Sequence, residues 1–390
     1  MRSPCRSSAS TRVLPLVALA VLAASGVRAA DTAAAPAAEA TPAPAATAAP
    51  EESVPPKPAP IEVTSFVDTY YGYFFNKPSG NVPLRNFDTK HNTFNLGLVE
   101  VAAEQKVTTA NRLGFRLDLQ AGRTADLVNA FEPGGLEFLK NIEQAYGSYL
   151  FGSKLQVDVG KFVTPAGAEV IETKDNWNYS RSLLFALAIP YYHAGLRATV
   201  PVSDKVTFSG MLVNGWNDVQ DNNSGKTWGV GAILKPSSKI TLAQNFIGGP
   251  EQADDAHDKR FLTDTTLTVS PTDKLSLMAN YDYGKDKVLG TDVKWQGIAL
   301  YARLQATPAW ALTPRFEWFD DADGFATGTV QKVKEFTITS EQKLGGKLLT
   351  RIEYRRDFSD QAYFTSKTGA PKKSQDNITI GLIYAFARSF

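Results

Sequence analysis

Acid–base or nucleophilic chemistry would have very few groups to work with in this chain. His91, His193 and His257 are its only histidines, and Cys5 is its only cysteine. A hydrolase needs a nucleophile with a base beside it. His193 has Ser180 and Ser182 nearby in sequence, but no nucleophile motif surrounds either serine, so an enzyme is not expected. One cysteine excludes a disulfide framework, a thiolate metal cluster and thiol catalysis. No catalytic residue, cofactor or metal site is expected.

The chemistry on offer is ionic. Arg112, Arg116, Arg197, Arg303, Arg315 and Arg351 fall on the polar face of alternating segments, together with Asp118, Asp158, Glu317 and Glu353. Both signs would line an interior. They could set up a transverse field that orders polar solutes at a constriction. They could equally solvate a wet interior and pair along neighbouring strands. A second charged group, Glu169, Glu172, Asp175 and Arg181, lies in one long connection, residues 163–190, just before the apolar run Leu183–Leu187. An apolar run in a loop must find something to bury against. Two placements are open: folded into a barrel mouth as a constriction, or packed outside on a neighbouring subunit's rim.

These groups need strands to carry them. Leu113, Phe115, Leu117 and Leu119 alternate with Gly114, Arg116, Asp118 and Gln120, a period of two that gives one apolar and one polar face. The pattern recurs from Ile61 to Phe390. The predicted strands are 61–75, 92–105, 111–122, 140–151, 154–162, 190–201, 205–214, 226–235, 239–248, 260–270, 274–284, 293–306, 310–319, 332–343, 347–357 and 376–390. The count is sixteen, within a range of 14–18. A small or polar pair followed by Lys opens many of them, as in Ser203-Asp204-Lys205, Ser237-Ser238-Lys239 and Thr272-Asp273-Lys274, with a degenerate copy at Thr307-Pro308-Ala309. The connections at the other end are longer and more polar. Short turns at one end and long loops at the other predict an all-β fold, a transmembrane antiparallel up-and-down β-barrel. Tyr191, Tyr192, Trp216, Trp228, Trp295, Trp310 and Trp318 lie near strand ends, where an aromatic girdle would sit. A propeller would need four strands per blade and a Val/Ile-rich buried face.

Composition agrees. With 41 Lys+Arg against 40 Asp+Glu, there is no basic excess for nucleic acid, and no nucleic-acid partner is expected. A mean hydropathy of -0.21 is too low for a helical membrane protein. Arg2, Arg6 and Arg12, the apolar stretch Val13–Ala24 and the small-residue site Val27-Arg28-Ala29 predict a signal peptide over 1–29. Residues 30–60 are an Ala/Pro-rich segment expected to be a disordered linker. The barrel is expected over 61–390. Reading back from Phe390 in twos gives Arg388, Phe386, Tyr384, Leu382, Ile380 and Ile378, an apolar face ending on an aromatic, as in the assembly signal of outer-membrane barrels. Deleting Phe390 should therefore reduce the heat-modifiable, fast-migrating folded form in outer-membrane fractions. Unchanged amounts of that form would count against the signal.

Ordered words along the chain resemble one family. They are Val67-Asp68-Thr69-Tyr70-Tyr71, Val159-Gly160-Lys161-Phe162, Gly167-Ala168-Glu169, Asn176-Trp177-Asn178-Tyr179-Ser180-Arg181-Ser182, Pro190-Tyr191-Tyr192-His193-Ala194-Gly195, Val213-Asn214-Gly215-Trp216 and Gly249-Pro250-Glu251. In this order they resemble the OmpL-like family of outer-membrane β-barrel porins. The resemblance implies a passive, water-filled channel for small polar solutes and ions in a Gram-negative outer membrane, and brings no catalytic residues. The partners expected of such a barrel are outer-membrane lipid, lipopolysaccharide and the barrel-assembly machinery. Both termini would be periplasmic, and assembly into a homo-oligomer is open. A plugged structural or adhesive barrel is the alternative reading, with an outer-membrane hydrolase behind it.

Overall fold

The computed structural model describes residues 59–130, 132 and 137–389. The expected signal peptide, the linker as far as residue 58 and the terminal Phe390 lie outside the described residues. Sixteen strands close into a barrel. The first eight are β1 (Ile61–Phe74), β2 (Thr93–Gln105), β3 (Leu113–Ala121), β4 (Ile142–Phe151), β5 (Leu155–Val163), β6 (Tyr192–Ser203), β7 (Val206–Val213) and β8 (Thr227–Ser237). The second eight are β9 (Ile240–Gly249), β10 (Arg260–Thr272), β11 (Leu275–Val288), β12 (Thr291–Thr307), β13 (Trp310–Asp321), β14 (Gln331–Leu344), β15 (Leu348–Ser359) and β16 (Ser374–Ser389). Each pairs antiparallel with its neighbour in sequence, and β1 closes on β16 with Tyr70 opposite Gly381. Closure leaves no unpaired edge, which a lipid-embedded sheet requires.

The barrel is apolar outside and charged within. On β15, Arg351 is 1% exposed, Ile352 57% and Glu353 0%. In water that order would be upside down; in hydrocarbon it is what the backbone alternation should deliver. Among the described residues no helix is long and apolar enough to cross a membrane. The crossing is made by strands.

The recurring short turn has a local cause. The hydroxyls of Ser203, Ser237, Thr272 and Thr307 each accept the amide N–H two residues on, all at 3.3 Å. A Ser/Thr side chain thus closes the reversal, and the degenerate copy at 307–309 uses the same bond.

Two features were not expected from the alternation. A bulge interrupts β4: Asp118 of β3 faces Gln144 while Leu119 faces Ile142, so Glu143 is extra. Glu143 and Gln144 are consequently both buried. Two short helices, α1 (Arg123–Val128) and α2 (Leu183–Leu187), interrupt the long loops. The Ser182 hydroxyl caps α2 by accepting the Phe185 N–H at 3.0 Å.

Candidate pore and its constriction

The connection between β5 and β6 folds into the barrel. It docks mainly on β1 and β12–β16, and also touches β9, where Asn245 donates to the Pro165 carbonyl at 3.1 Å, and β11, where Asn280 accepts the Ala168 N–H at 3.4 Å. Tyr179 donates its hydroxyl to Asp68 at 2.9 Å. Asn178 donates to the Thr313 carbonyl at 3.1 Å and to the Thr339 hydroxyl at 2.7 Å. The Trp295 indole donates to the Ala188 carbonyl at 3.1 Å. Leu183, Leu184 and Phe185, the apolar run, are buried in the central hydrophobic cluster. Glycines make room for this docking: a Cβ on Gly381 would strike the Tyr179 ring, and one on Gly297 would strike Leu184.

Charged wall residues hold the loop chiefly by its main chain. Glu353 accepts the N–H groups of Tyr179 (2.6 Å) and Ser180 (3.0 Å). Glu317 accepts the Leu183 N–H at 2.7 Å. Arg351 donates to the carbonyls of Thr173 (2.7 Å) and Asn178 (3.0 Å), and its Nε donates to Glu341 at 2.8 Å. Arg315 donates to the Ser180 carbonyl at 2.7 Å and pairs with Glu169 (2.8 Å), Glu335 (3.0 Å) and Glu317 (3.3 Å). Arg355 reaches the Arg181 carbonyl at 2.6 Å. Buried charges are tolerated because each is hydrogen-bonded and most are ion-paired; Glu353 is held by the Tyr179 and Ser180 N–H groups and the Thr339 hydroxyl.

This placement corrects part of the sequence reading. Arg315, Glu317, Arg351 and Glu353 do project inward, but the loop covers them, so they do not meet water. Asp118 and Asp158 are also buried, each beneath an arginine: Arg116 lies 2.9 Å from Asp118, and Arg197 lies 2.8 Å from Asp158. The arginines remain partly open, with side chains 29% and 21% exposed. Arg303 pairs with Glu341 at 2.6 Å and stays 15% exposed. Arg112 is exposed just before β3 begins.

In the loop, Glu169 faces Arg315. Glu172 does not: its nearest acidic neighbours are Glu100 and Glu143. Burial, then the charge of Glu100, push its carboxyl up to about 7. Asp175 pairs with the adjacent Lys174 and is half-exposed. Arg181 turns back to the loop's own carbonyls, Val170 at 3.0 Å and Tyr179 at 2.7 Å, and burial lowers its pKa.

The girdle expectation is corrected too. Trp228 and Trp310 stand exposed on the outer face, and Trp318 is half-buried there. Tyr191, Tyr192 and Trp295 are buried. Trp295 shares the parity of Tyr301 and Arg303 and stacks on Phe325 at 5.1 Å. Strand-end position does not choose a face; parity does.

Sequence reasoning missed a second infolded loop, between β1 and β2. Arg85 pairs there with Asp88 at 3.0 Å and with Asp357 of the wall at 3.2 Å. His193 is buried, with Nδ1 2.8 Å from the Gly215 carbonyl and Nε2 3.2 Å from the Thr164 hydroxyl. Ser180 and Ser182 are engaged elsewhere, so these residues form no Ser-His pair.

A closed sixteen-stranded antiparallel barrel, apolar outside, charged inside and narrowed by an infolded loop, defines an outer-membrane porin. The pattern of the family described as "Putative beta-barrel porin-2, OmpL-like" matches residues 60–386, and the chain belongs to that family. Solved porin-type barrels share the fold. An anion-selective porin from Comamonas acidovorans is 11% identical, with 84% of this chain and 99% of that one covered at a TM-score of 0.57. The outer-membrane channel DcaP of Acinetobacter baumannii is 10% identical, with 84% and 97% covered at 0.57. OmpT of Vibrio cholerae, an outer-membrane protein described in a trimer form, is 11% identical, with 84% and 100% covered at 0.56. No curated relative matches the sequence.

Proposed function

We propose that this porin passes small polar solutes along the wall that the loop leaves free, with a preference for anions. One observation carries the reading. Three inward arginines that keep contact with water, Arg116, Arg197 and Arg303, each cover a buried acid, Asp118, Asp158 and Glu341, and outnumber the partly open acids Glu104, opposite Arg116, and Asp175 of the loop. Solutes in the lumen therefore meet guanidinium groups first, and a low-dielectric wall focuses that field. Diffusion is passive, and the barrel carries no catalytic activity.

The test is a salt gradient across a planar bilayer. The parent channel should show a reversal potential favouring chloride over potassium. Arg116→Glu together with Arg197→Glu should move it toward cation preference, most clearly at low ionic strength, where screening is weak. A parent with no anion preference, or a double variant with an unmoved potential, sinks the assignment.

The same reading places the short-turn end in the periplasm. Both described chain ends lie at that end, since Glu62 pairs with Ser389 and Ile61 with Gln105. Outer-membrane lipid and lipopolysaccharide would surround the apolar band, and the barrel-assembly machinery would insert it. Assembly into a homo-oligomer also belongs to this reading, supported by the trimer form described for the Vibrio barrel.

A further inference from the structure

Three carboxylates meet inside the barrel where the infolded loop crosses the wall. Glu100 comes from β2, Glu143 from the bulge of β4, and Glu172 from the loop. One oxygen from each lies within 4.8 Å of the other two, and all three residues are buried. Three carboxylates packed together with no counter-charge would be strongly unfavourable. Among the described residues, no cation is in ion-pair contact with Glu100 or Glu143; Lys161, whose charge acts on Glu143, donates instead to Asn129 at 2.7 Å.

A second observation concerns partners. No N–H or hydroxyl donor reaches either oxygen of Glu143, which is 1% exposed, or Oε2 of Glu100, which is 2% exposed; the two carboxyls face each other. The amide oxygen of Gln120 is likewise buried and unpartnered, and Gln120 stands directly opposite Glu100 in the β2–β3 register. Buried acceptors are normally satisfied. Here the unsatisfied ones are all oxygens, and they gather on adjacent strands.

We propose that Glu100, Glu143 and Glu172 bind a calcium ion that ties the constriction loop to the barrel wall. The donor set is entirely oxygen, which selects a hard cation over zinc or copper. Calcium–oxygen bonds of about 2.3–2.6 Å place donors on opposite sides of the ion roughly 4.6–5.2 Å apart, whereas magnesium would need them near 4.1 Å. Separations within 4.8 Å fit calcium, and a buried cage of three carboxylates suits it better than magnesium, which is usually held by one or two carboxylates and keeps several waters. Two of the three ligands belong to the rigid ladder and the third to the loop, so the ion would act as a clasp. The bulge then has a purpose: without the extra residue, alternation would put Glu143 or Gln144 on the lipid face.

The experiment uses full-length folded protein, washed with chelator and titrated with calcium chloride alone by calorimetry. One calcium per chain should bind, more tightly than magnesium, and the heat-modifiability temperature should rise with calcium. Glu143→Gln is nearly isosteric and removes one unpaired buried charge. It should fold in chelator at least as stably as the parent, yet lose calcium affinity at least tenfold. Glu172→Gln, on the loop, should lose it as well, and it carries the test should the first variant fold poorly. A parent that binds neither ion, variants that keep the parent's calcium response, or a site that prefers magnesium would each overturn the assignment.

Discussion

Removing residues 165–188 and bridging the gap with a short Gly/Ser segment gives a channel with unitary conductance raised about threefold or more, since a constriction dominates the resistance of a wide pore. The loop fills the lumen mainly beside β1 and β12–β16 and reaches across to β9 and β11, so its loss opens much of the cross-section. It also uncovers Arg315, Glu317, Arg351, Glu353 and Arg355, now buried, and turns them into water-facing charges. Ring closure does not depend on the loop, because every strand pairs with its neighbours independently of it. The shortened chain should therefore still show the folded band on gels. Liposome swelling should admit larger sugars than the parent does. A folded variant that conducts like the parent would place the narrowest point elsewhere, for example at the infolded β1–β2 loop.

Replacing Arg315 with Met should destabilise the folded state by about 3–5 kcal/mol, the cost of breaking a buried ion pair by removing one partner. Arg315 pairs with Glu169 of the loop and with Glu335 and Glu317 of the wall. Its loss leaves Glu169 and Glu317 buried without their ion-pair partner, Glu335 with Arg355 only, and two loop contacts at Ser180 unmade. Denaturant titration of the reconstituted barrel reads the cost as a lower midpoint. Single-channel traces should become noisier as the loop loses its anchor. Adding Glu169→Gln and Glu335→Gln should recover much of the midpoint, since the uncompensated charges are then gone. An unshifted midpoint with quiet traces would show that the loop is held by its apolar run alone.

The strands were legible because one physical rule, apolar toward lipid and polar toward the lumen, applies along the whole barrel. All sixteen appear in their predicted order. Leu113–Gln120 alternates in the structure as it does in the sequence, and boundaries moved by only a few residues. Alternation names a face, however, and says nothing about what stands against that face. Arg315 and Arg116 look alike in sequence; one is under the loop and the other borders water. Signals for the difference were present. Gly297 and Gly381, inside otherwise regular strands, mark close approach by another segment. The break in period at Glu143-Gln144 marks the bulge. The α2 turn was too short for any periodicity to reveal, and only its Ser182 cap hinted at it.

The way the wall grips the loop has a consequence for engineering. Glu353, Glu317, Arg351 and Arg355 address peptide N–H and carbonyl groups, which every sequence possesses. At these points the barrel holds the path of the chain, while Asn178, Tyr179, Glu169 and the Leu183–Phe185 run are recognised by side chain. Val170, Lys174 and Asp175 keep side chains open to water and lie outside those main-chain contacts. Such positions can be recoded, with charge, bulk or a reactive handle, while the path of the segment stays fixed. That makes the lumen a ready scaffold for an analyte sensor, with its reading head already threaded through the pore.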